Sequence, residues 1–385
     1  MNDMAHKKIK VALMADVFDR RPERALFARR LIERLVVHPD IDRTLVHFTP
    51  MPDEPMYKAA HEVLIPRIAL PVGSRFVSIM YYCITTKDRF DIFQYLVGRP
   101  YPFFWLFPAK KFVILAHDAG VARVPGSRTI PNIISYLTLR FFHRHIDMVL
   151  GVSEFARQEI EHVYHLPASK TAVVYNGIEP SFAPVSGEEV DRIVSTYHVS
   201  RGNYIFYLGG LQPHKNVPSL VKAYEVFRRN NPHAAHKLLL GGTPRSSDEP
   251  VYKAAHASAY AKDISFAGFV PWEHVPALHS GAAVFVFPSL HEGFGMPPVE
   301  AMACGAPTVV SDATSLPEAT GGASVLVDAS NPAAIAEGIG KVLNDPALQD
   351  TMRKKGFENV KRFSWDSYAD AHVKLYKKLV GYSEA

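Results

Sequence analysis

Two cysteines in 385 residues leave no disulfide framework to build, and their positions, Cys83 and Cys304, match no metal-ligand spacing. Their expected role is that of small apolar side chains in a reducing cytoplasm. The chain also lacks low-complexity tracts and internal repeats, and its 48% hydrophobic and 21% charged content is that of a globular protein. It has no long apolar run either. The most apolar region, "IFQYLVGRPYPFFWLFPAKKFVIL" (92–115), is broken by Arg99 and three prolines and cannot cross a bilayer as one helix. The N-terminal "MNDMAHKKIKVALMAD" carries an apolar stretch of only about six residues, which suits a first strand rather than a signal peptide. No Gly-x-Gly-x-x-Gly opens either half, which argues against a nicotinamide dehydrogenase. A Walker A sequence, a Gly-x-Ser-x-Gly nucleophile and a His/Cys metal cluster are missing too. The Asp-x-Asp at 40–42 precedes a strand where a metal-binding motif would end one, so no metal is expected there. Basic residues are scattered without aromatic interleaving, and nucleic acid is not an expected partner.

What the chain does have is length enough for two domains and an uneven charge. Residues 1–180 hold 24 Lys and Arg against 18 Asp and Glu, a net of +6; the rest hold 19 against 20, a net of −1. A basic half points to an anionic partner, a membrane surface, a phosphate-bearing substrate or, by charge alone, nucleic acid, against the plain alternative of solvated surface charge. Strand patterns at 10–16, 44–48, 112–118, 148–153 and 171–176 alternate with helical ones such as 23–38, where Leu26, Arg30, Ile32 and Leu35 form a basic amphipathic surface. The Pro/Gly/Ser-rich stretch 176–187 reads as a linker. Strands at 204–210, 237–242, 264–270, 283–290, 307–312 and 324–328 follow, with helices at 217–230 and 272–280. A further helix starts near Pro332 behind a Ser/Asn cap. The fold class is α/β: two tandem Rossmann-like, doubly wound parallel sheets, with a ligand expected in the cleft between domains. The aromatic-basic segment with Phe103, Phe104, Trp105, Phe107, Lys110 and Lys111 is expected either at a lipid interface or in the core or an acceptor pocket.

Three strand-to-helix loops carry the chemistry. "FPSLHEGFGMPPVEAMACG" (287–305) sets Glu292 in a loop and Glu300 in the opening turn of a helix. The amides of Gly293, Phe294, Gly295 and Met296 between them suit an anion such as a diphosphate. The two acids, as acceptors only, suit sugar hydroxyls; their plain alternatives are a turn cap and a helix-dipole partner. "YLGGLQPHKNV" (207–217) follows a strand with Gly209 and Gly210 and presents Lys215 as a cation for phosphate. "ILAHDAGV" (114–121) ends a strand with His117, suited to a substrate hydroxyl or to a structural role, and Asp118, suited to orienting it or to binding an acceptor.

Taken together, "HEGFGMPPVEAMACGAPTVVSD" resembles the Glu-x7-Glu signature of retaining GT-B glycosyltransferases, in particular glycosyltransferase family 4. "YLGGLQPHKN", "AGFVPWEHVPALHSGA", "GVSEFARQEI", "VVYNGIE" and "SLPEATGGASVLVD" add to the resemblance. It implies metal-independent, cofactor-free transfer of a sugar with retention of configuration, from a nucleotide-sugar to a glycan or lipid-linked glycan. The flavour of the loops suggests GDP-mannose, with UDP-sugars as the alternative. A nucleotide-sugar epimerase, a non-catalytic nucleotide-sugar module and a structural protein are the rival readings. The family assigns Glu292 to the donor sugar, Glu300 to the ribose, the loop backbone to sugar and phosphate, and Lys215 to the leaving diphosphate. His117 falls near the sugar's 6-position, and Phe269 and Val270 by the base. Residues 1–180, joined by a C-terminal helix at 365–385, correspond to the acceptor domain, and 181–364 to the donor domain. The expected place of action is the cytoplasm, with peripheral contact on the inner face of an anionic membrane. Two departures stand out: Gly210 occupies a place where the family usually has an arginine, and the loop 15–27 has no glycine.

Overall fold

The computed structural model describes residues 8–16, 26–49, 55–66, 68, 74–96, 100–117, 119, 130–243 and 249–382. Two compact units form: residues 1–177 with 363–385, and residues 178–362. Asp118 and residues 17–25 of the glycine-free loop 15–27 lie outside the described residues.

The first unit holds a seven-stranded parallel sheet in the order β3-β2-β1-β4-β5-β6-β7. Its strands are β1 (Ile9–Met14), β2 (Ile41–His47), β3 (His61–Leu64), β4 (Phe90–Tyr95), β5 (Ala109–Ala116), β6 (Met148–Gly151) and β7 (Thr171–Val173). The second unit has a six-stranded parallel sheet, β10-β9-β8-β11-β12-β13. Here the strands are β8 (Tyr204–Leu208), β9 (Lys237–Gly241), β10 (Ile264–Gly268), β11 (Val284–Phe287), β12 (Thr308–Ser311) and β13 (Val325–Val327). Central strands such as "VFVF" of β11 are buried along their whole length, as a parallel sheet covered on both faces requires.

Most strands end earlier than their apolar runs suggest. Pro288 has no N–H to continue the ladder, so β11 stops at Phe287. Gly209 and Gly210 fall outside β8, and His117 falls just past β5. The helix expected at 272–280 is a 3-10 turn, Trp272–His274, followed by the α-helix Val275–Gly281. Neither β3 nor β4 is apparent from the apolar pattern, since "HEVL" is a mostly exposed edge strand and Asp91 interrupts "FDIFQY". In each sheet the strand order reverses direction once, between β1 and β4 and between β8 and β11. The crevices beyond the carboxyl ends of those pairs are where such sheets take ligands.

The last helix, Trp365–Leu379, belongs to the first unit and packs on the helix Leu26–Val37. Arg34 Nε donates to Asp366 (2.6 Å), Lys377 pairs with Asp40 (2.7 Å), and the Tyr376 hydroxyl donates to the buried Gln94 side chain. Asp40 of the Asp-x-Asp is thereby a structural partner. Part of the basic character of 23–38 is also neutralised internally, because Arg30 pairs with Glu33 (2.7 Å). The aromatic-basic segment departs most from a lipid-facing one. Phe104 and Phe107 are buried, with Phe107 stacked on Phe93 at 3.8 Å, and Lys110 and Lys111 pair with Asp91 and Asp147. Only Phe103 and Leu106 of that stretch are exposed large hydrophobics. Among the described residues no helix is long and apolar enough to cross a membrane. Cys304 is buried, Cys83 is half-buried, and both are free thiols.

Candidate functional site

The loops after β8 and β11 flank the switch point of the second sheet and are bound to one another. His214 sits in the 3-10 turn Pro213–Lys215, and its carbonyl accepts from Leu290 N (2.8 Å) and Ser289 Oγ (3.1 Å). Asn216, in the left-handed conformation before the helix Val217–Asn230, sends its side-chain amide to the carbonyls of Pro288 (3.2 Å) and Ala329 (2.6 Å). One side chain thus joins the chain segments that follow β8, β11 and β13.

This scaffold brings Lys215 and Glu292 together. Lys215 Nζ donates to Glu292 Oε1 at 2.6 Å and lies 5.4 Å from the centre of the Phe287 ring. Their side chains are 18% and 13% exposed, so this is a largely desolvated pair with little screening by solvent. The two residues expected to hold separate parts of a ligand hold each other instead. A cation and an acid so poised can exchange this partner for an incoming diphosphate and a hydroxyl.

A second layer shapes the loop 291–295. Thr314 Oγ1 accepts from Glu292 N (3.2 Å), and the buried Ser315 hydroxyl reaches the carbonyls of Glu292 (3.0 Å) and Phe294 (2.9 Å). Thr314 does this from φ 58°, a conformation costly for a β-branched residue and typical of strained functional loops. Gly295 caps the helix Met296–Ala303 at φ 97°, where a Cβ would sit 2.4 Å from the Leu316 side chain. The amides of Gly295 and Met296 have no acceptor among the described residues and remain available to an anion at the helix start. Gly293 and Phe294 already take part in interactions within the protein, and the Phe294 ring is buried.

Glu300 opens the second turn of that helix, not the first. It keeps some exposure as a residue, but protein surrounds its carboxyl, and burial together with the nearby Glu179 charge pushes it up to about 8. At neutral pH it is mostly protonated, so it donates as well as accepts and is not the acceptor-only side chain expected. Burial and the Glu292 charge likewise raise the Tyr207 phenol well above its usual range. That hydroxyl donates to the Gly210 carbonyl (2.6 Å). Where the family has an arginine, the space beside Gly210 holds Gln212; a Cβ there would meet Gln212 Oε1 at 2.1 Å. Gly209 donates its N–H to the Gly241 carbonyl (3.1 Å). Past β10, Phe269 is 77% exposed while Val270 is buried, so a bare aromatic face stands at the carboxyl edge of the sheet.

In the first unit, His117 stands just beyond β5 with its ring edge-on to Phe27 (4.3 Å between centres). The buried Glu159 accepts from Ala119 N (3.2 Å) and pins the same loop. Glu159, Asn216, Thr314 and Ser315 escape a residue-by-residue reading. "GVSEFARQEI" and "SLPEATGG", which contain or adjoin three of them, hold signals readable only as family likeness. Two cavities of about 300 and 500 Å³ lie at the amino ends of strands in the first unit, beside Lys8 and Asp91 and beside Lys10 and His61. That is the wrong edge of a parallel sheet for its ligand, and neither cavity adjoins a residue above.

Residues 194–359 match the family model described as Glycosyl transferases group 1, and residues 25–182 the model described as Glycosyltransferase Family 4. The O-antigen chain mannosyltransferase B of Escherichia coli is 31% identical over 273 residues, 70% of this chain and 71% of that protein. The serotype-specific mannosyltransferase WbdA of Escherichia coli is 27% identical over 241 residues; these are 62% of this chain but only 29% of that longer protein. Among solved structures, a glycosyltransferase from Rickettsia africae superposes with a TM-score of 0.75 at 15% identity, covering 98% of this chain and 100% of the other. Anabaena HepE in complex with UDP and glucose gives 0.73 at 15% identity over 96% and 100%.

Proposed function

The chain belongs to glycosyltransferase family 4, and on that premise we propose that it transfers mannose from GDP-mannose to a polysaccharide or lipid-linked glycan, with retention and without a metal. That it is a glycosyltransferase follows from the family; the choice of mannose is supported by the mannosyltransferases among its relatives. One observation carries the mechanism: the Lys215–Glu292 pair at the carboxyl ends of β8 and β11.

Donor binding replaces this pair. The diphosphate takes Lys215 and the Gly295 and Met296 amides; Glu292, released, accepts from hydroxyls of the sugar. As the anomeric C–O bond breaks, its electrons leave on the phosphate oxygen, where the ammonium and amides stabilise the growing charge. The acceptor oxygen bonds to the same face of the sugar, and its proton passes to the departing diphosphate. Glu300 holds the ribose, and Phe269 with Val270 flanks the base. Gly209, Gly210, Gly293 and Phe294 line the donor seat. The roles of His117 at the sugar's 6-position and of Asp118 toward the acceptor rest on family resemblance alone. Action on the cytoplasmic side is the reading that suits two free thiols. A UDP-sugar is the second reading, favoured by the UDP in the HepE structure.

A thermal-shift and turnover screen of GDP-mannose, UDP-glucose and UDP-GlcNAc tests the donor, since bound ligand raises apparent stability. GDP-mannose is expected to give the largest shift. Lys215→Ala and Glu292→Ala are each expected to lower turnover by about 10²-fold or more. Because a lone buried charge also destabilises, the double change Lys215→Gln with Glu292→Gln should restore the melting temperature but not turnover. Near-normal turnover in either single variant would overturn the mechanism.

A further inference from the structure

Gly210 is a glycine for space rather than for backbone freedom. Its φ is not positive, unlike that of Gly295, so the chain there has a conformation open to other residues. What excludes a side chain is Gln212. A Cβ on Gly210 would lie 2.7 Å from both Cδ and Nε2 of Gln212 and closer still to Oε1. The whole carboxamide therefore lies against the face of Gly210 that a side chain would take. The peptide that carries Gly210 is fixed in turn. The Tyr207 hydroxyl donates to the Gly210 carbonyl (2.6 Å), and the buried Tyr207 ring stacks on Phe287 with 5.9 Å between centres.

The carboxamide so placed has no hydrogen-bond partner among the described residues. Gln212 stands before the 3-10 turn Pro213–Lys215 without capping it through its side chain, and only its carbonyl serves the turn, accepting from Lys215 N (2.9 Å). It is half-buried, and a half-buried amide left unpaired costs free energy that a ligand oxygen would recover. The ligand expected here is short of partners too. The two joined loops, 209–216 and 288–296, hold one lysine, no arginine and one glutamate. That lysine is Lys215, already paired with Glu292 at 2.6 Å. One ammonium does not match the charge of a diphosphate, so the balance falls to neutral N–H donors.

We propose that Gln212 is a donor-contact residue: its carboxamide N–H groups donate to the diphosphate beside Lys215, and Gly210 leaves it the room to do so. The seat then has a single cation, completed by the neutral donors of Gln212, Gly295 and Met296. Neutral donors hold a diphosphate less tightly than a second cation does, and salt screens them less. The product nucleotide therefore leaves readily, and its affinity depends only weakly on ionic strength. This inference rests on the reading that Lys215 takes the diphosphate, but not on which base or sugar the donor carries.

The test is competition binding of GDP, UDP, guanosine and uridine to the whole chain, at low and high salt. Gln212→Ala is expected to weaken the preferred diphosphate about 10-fold. Gln212→Glu keeps the shape but loses the donor and adds a charge, and should weaken it about 100-fold. The matching nucleoside should bind both variants as it binds the wild type. Gly210→Ala drives the carboxamide from its place and should cost the same as Gln212→Ala. The two changes together should cost no more than either alone, since each removes one and the same contact. Gly210→Arg with Gln212→Gly should turn the weak salt dependence into a steep one. Lost affinity in Lys215→Ala with none lost in Gln212→Glu overturns this inference alone. Undiminished affinity in Lys215→Ala overturns the seat, and this inference with it. Equal losses for nucleoside and diphosphate, or additive losses in the Gly210→Ala with Gln212→Ala variant, also overturn it, since Gln212 would then only shape the loop.

Discussion

Glu300 shows how a single side chain trades stability for binding. Its folded value near 8 lies above the ordinary carboxyl value of 4.5, so the native state keeps a proton that the unfolded chain has lost. Between those values, stability falls as pH rises, because the native state holds more protons than the unfolded one. Glu300→Gln removes this cost. It is expected to raise the melting temperature at pH 9 and to leave it nearly unchanged at pH 4. The same change should weaken nucleotide binding, since a carboxylate accepts two hydroxyl protons and an amide oxygen offers less. In the wild type, nucleotide affinity should rise with pH through 8 as the carboxylate forms; calorimetry in buffers of different ionisation heat would reveal the released proton. An affinity independent of pH would separate Glu300 from the ligand.

Loops and helix starts set the geometry at the next scale. The donor loop does not hold its shape alone. Thr314 and Ser315, on the loop after β12, hold the backbone of Glu292 and Phe294. Thr314→Ala removes the acceptor for the Glu292 N–H, whereas Thr314→Ser keeps it and sheds a β-branch at a positive φ. The serine variant should match the wild type in turnover, and the alanine variant should lose about 10-fold or more. Gly295→Ala is the harsher change, for it combines φ 97° with a clash against Leu316. It is expected to cost about 1–3 kcal/mol in urea unfolding and to displace the start of the helix. Stopped or unchanged turnover in all three variants alike would show that the loop is not shaped in this way.

At the scale of the whole molecule, burial keeps His279 in the second unit and His372 in the first as neutral groups. His279 lies among the rings of Phe206, Phe285 and Phe182, with neither ring nitrogen bonded among the described residues, and burial lowers it to about 3. His372, on the last helix, is lowered to about 4 by burial. In both cases the unfolded chain takes up a proton near pH 6.5 and the folded chain does not. Stability is therefore expected to fall as pH drops from 7 to 4. His279→Leu should flatten this acid limb for the second unit and His372→Leu for the first. Melting curves from pH 4 to 8 would check both, and an acid limb unchanged by either substitution would assign acid unfolding to carboxylates instead.

Much of the fold is legible in the chain itself. Short apolar runs separated by helical periods dictate parallel sheets, because such strands must be buried on both faces, and "HEGFGMPPVEAMACG" announces a loop leading into a helix through its glycines and prolines. These are local facts of backbone freedom and side-chain size. Other features depend on neighbours distant in sequence, and only the tertiary structure decides them. The ion pair of Lys215 with Glu292 and the support from Thr314 and Ser315 are contacts between separate loops. Phe104 and Phe107 suit a lipid interface, a core or an acceptor pocket alike in the sequence, and only the sheet packed against them places them in the core. The proton on Glu300 is of the same kind. Desolvation and the field of Glu179 come from the surrounding fold, so a carboxyl that looks charged in the sequence is mostly neutral in the protein.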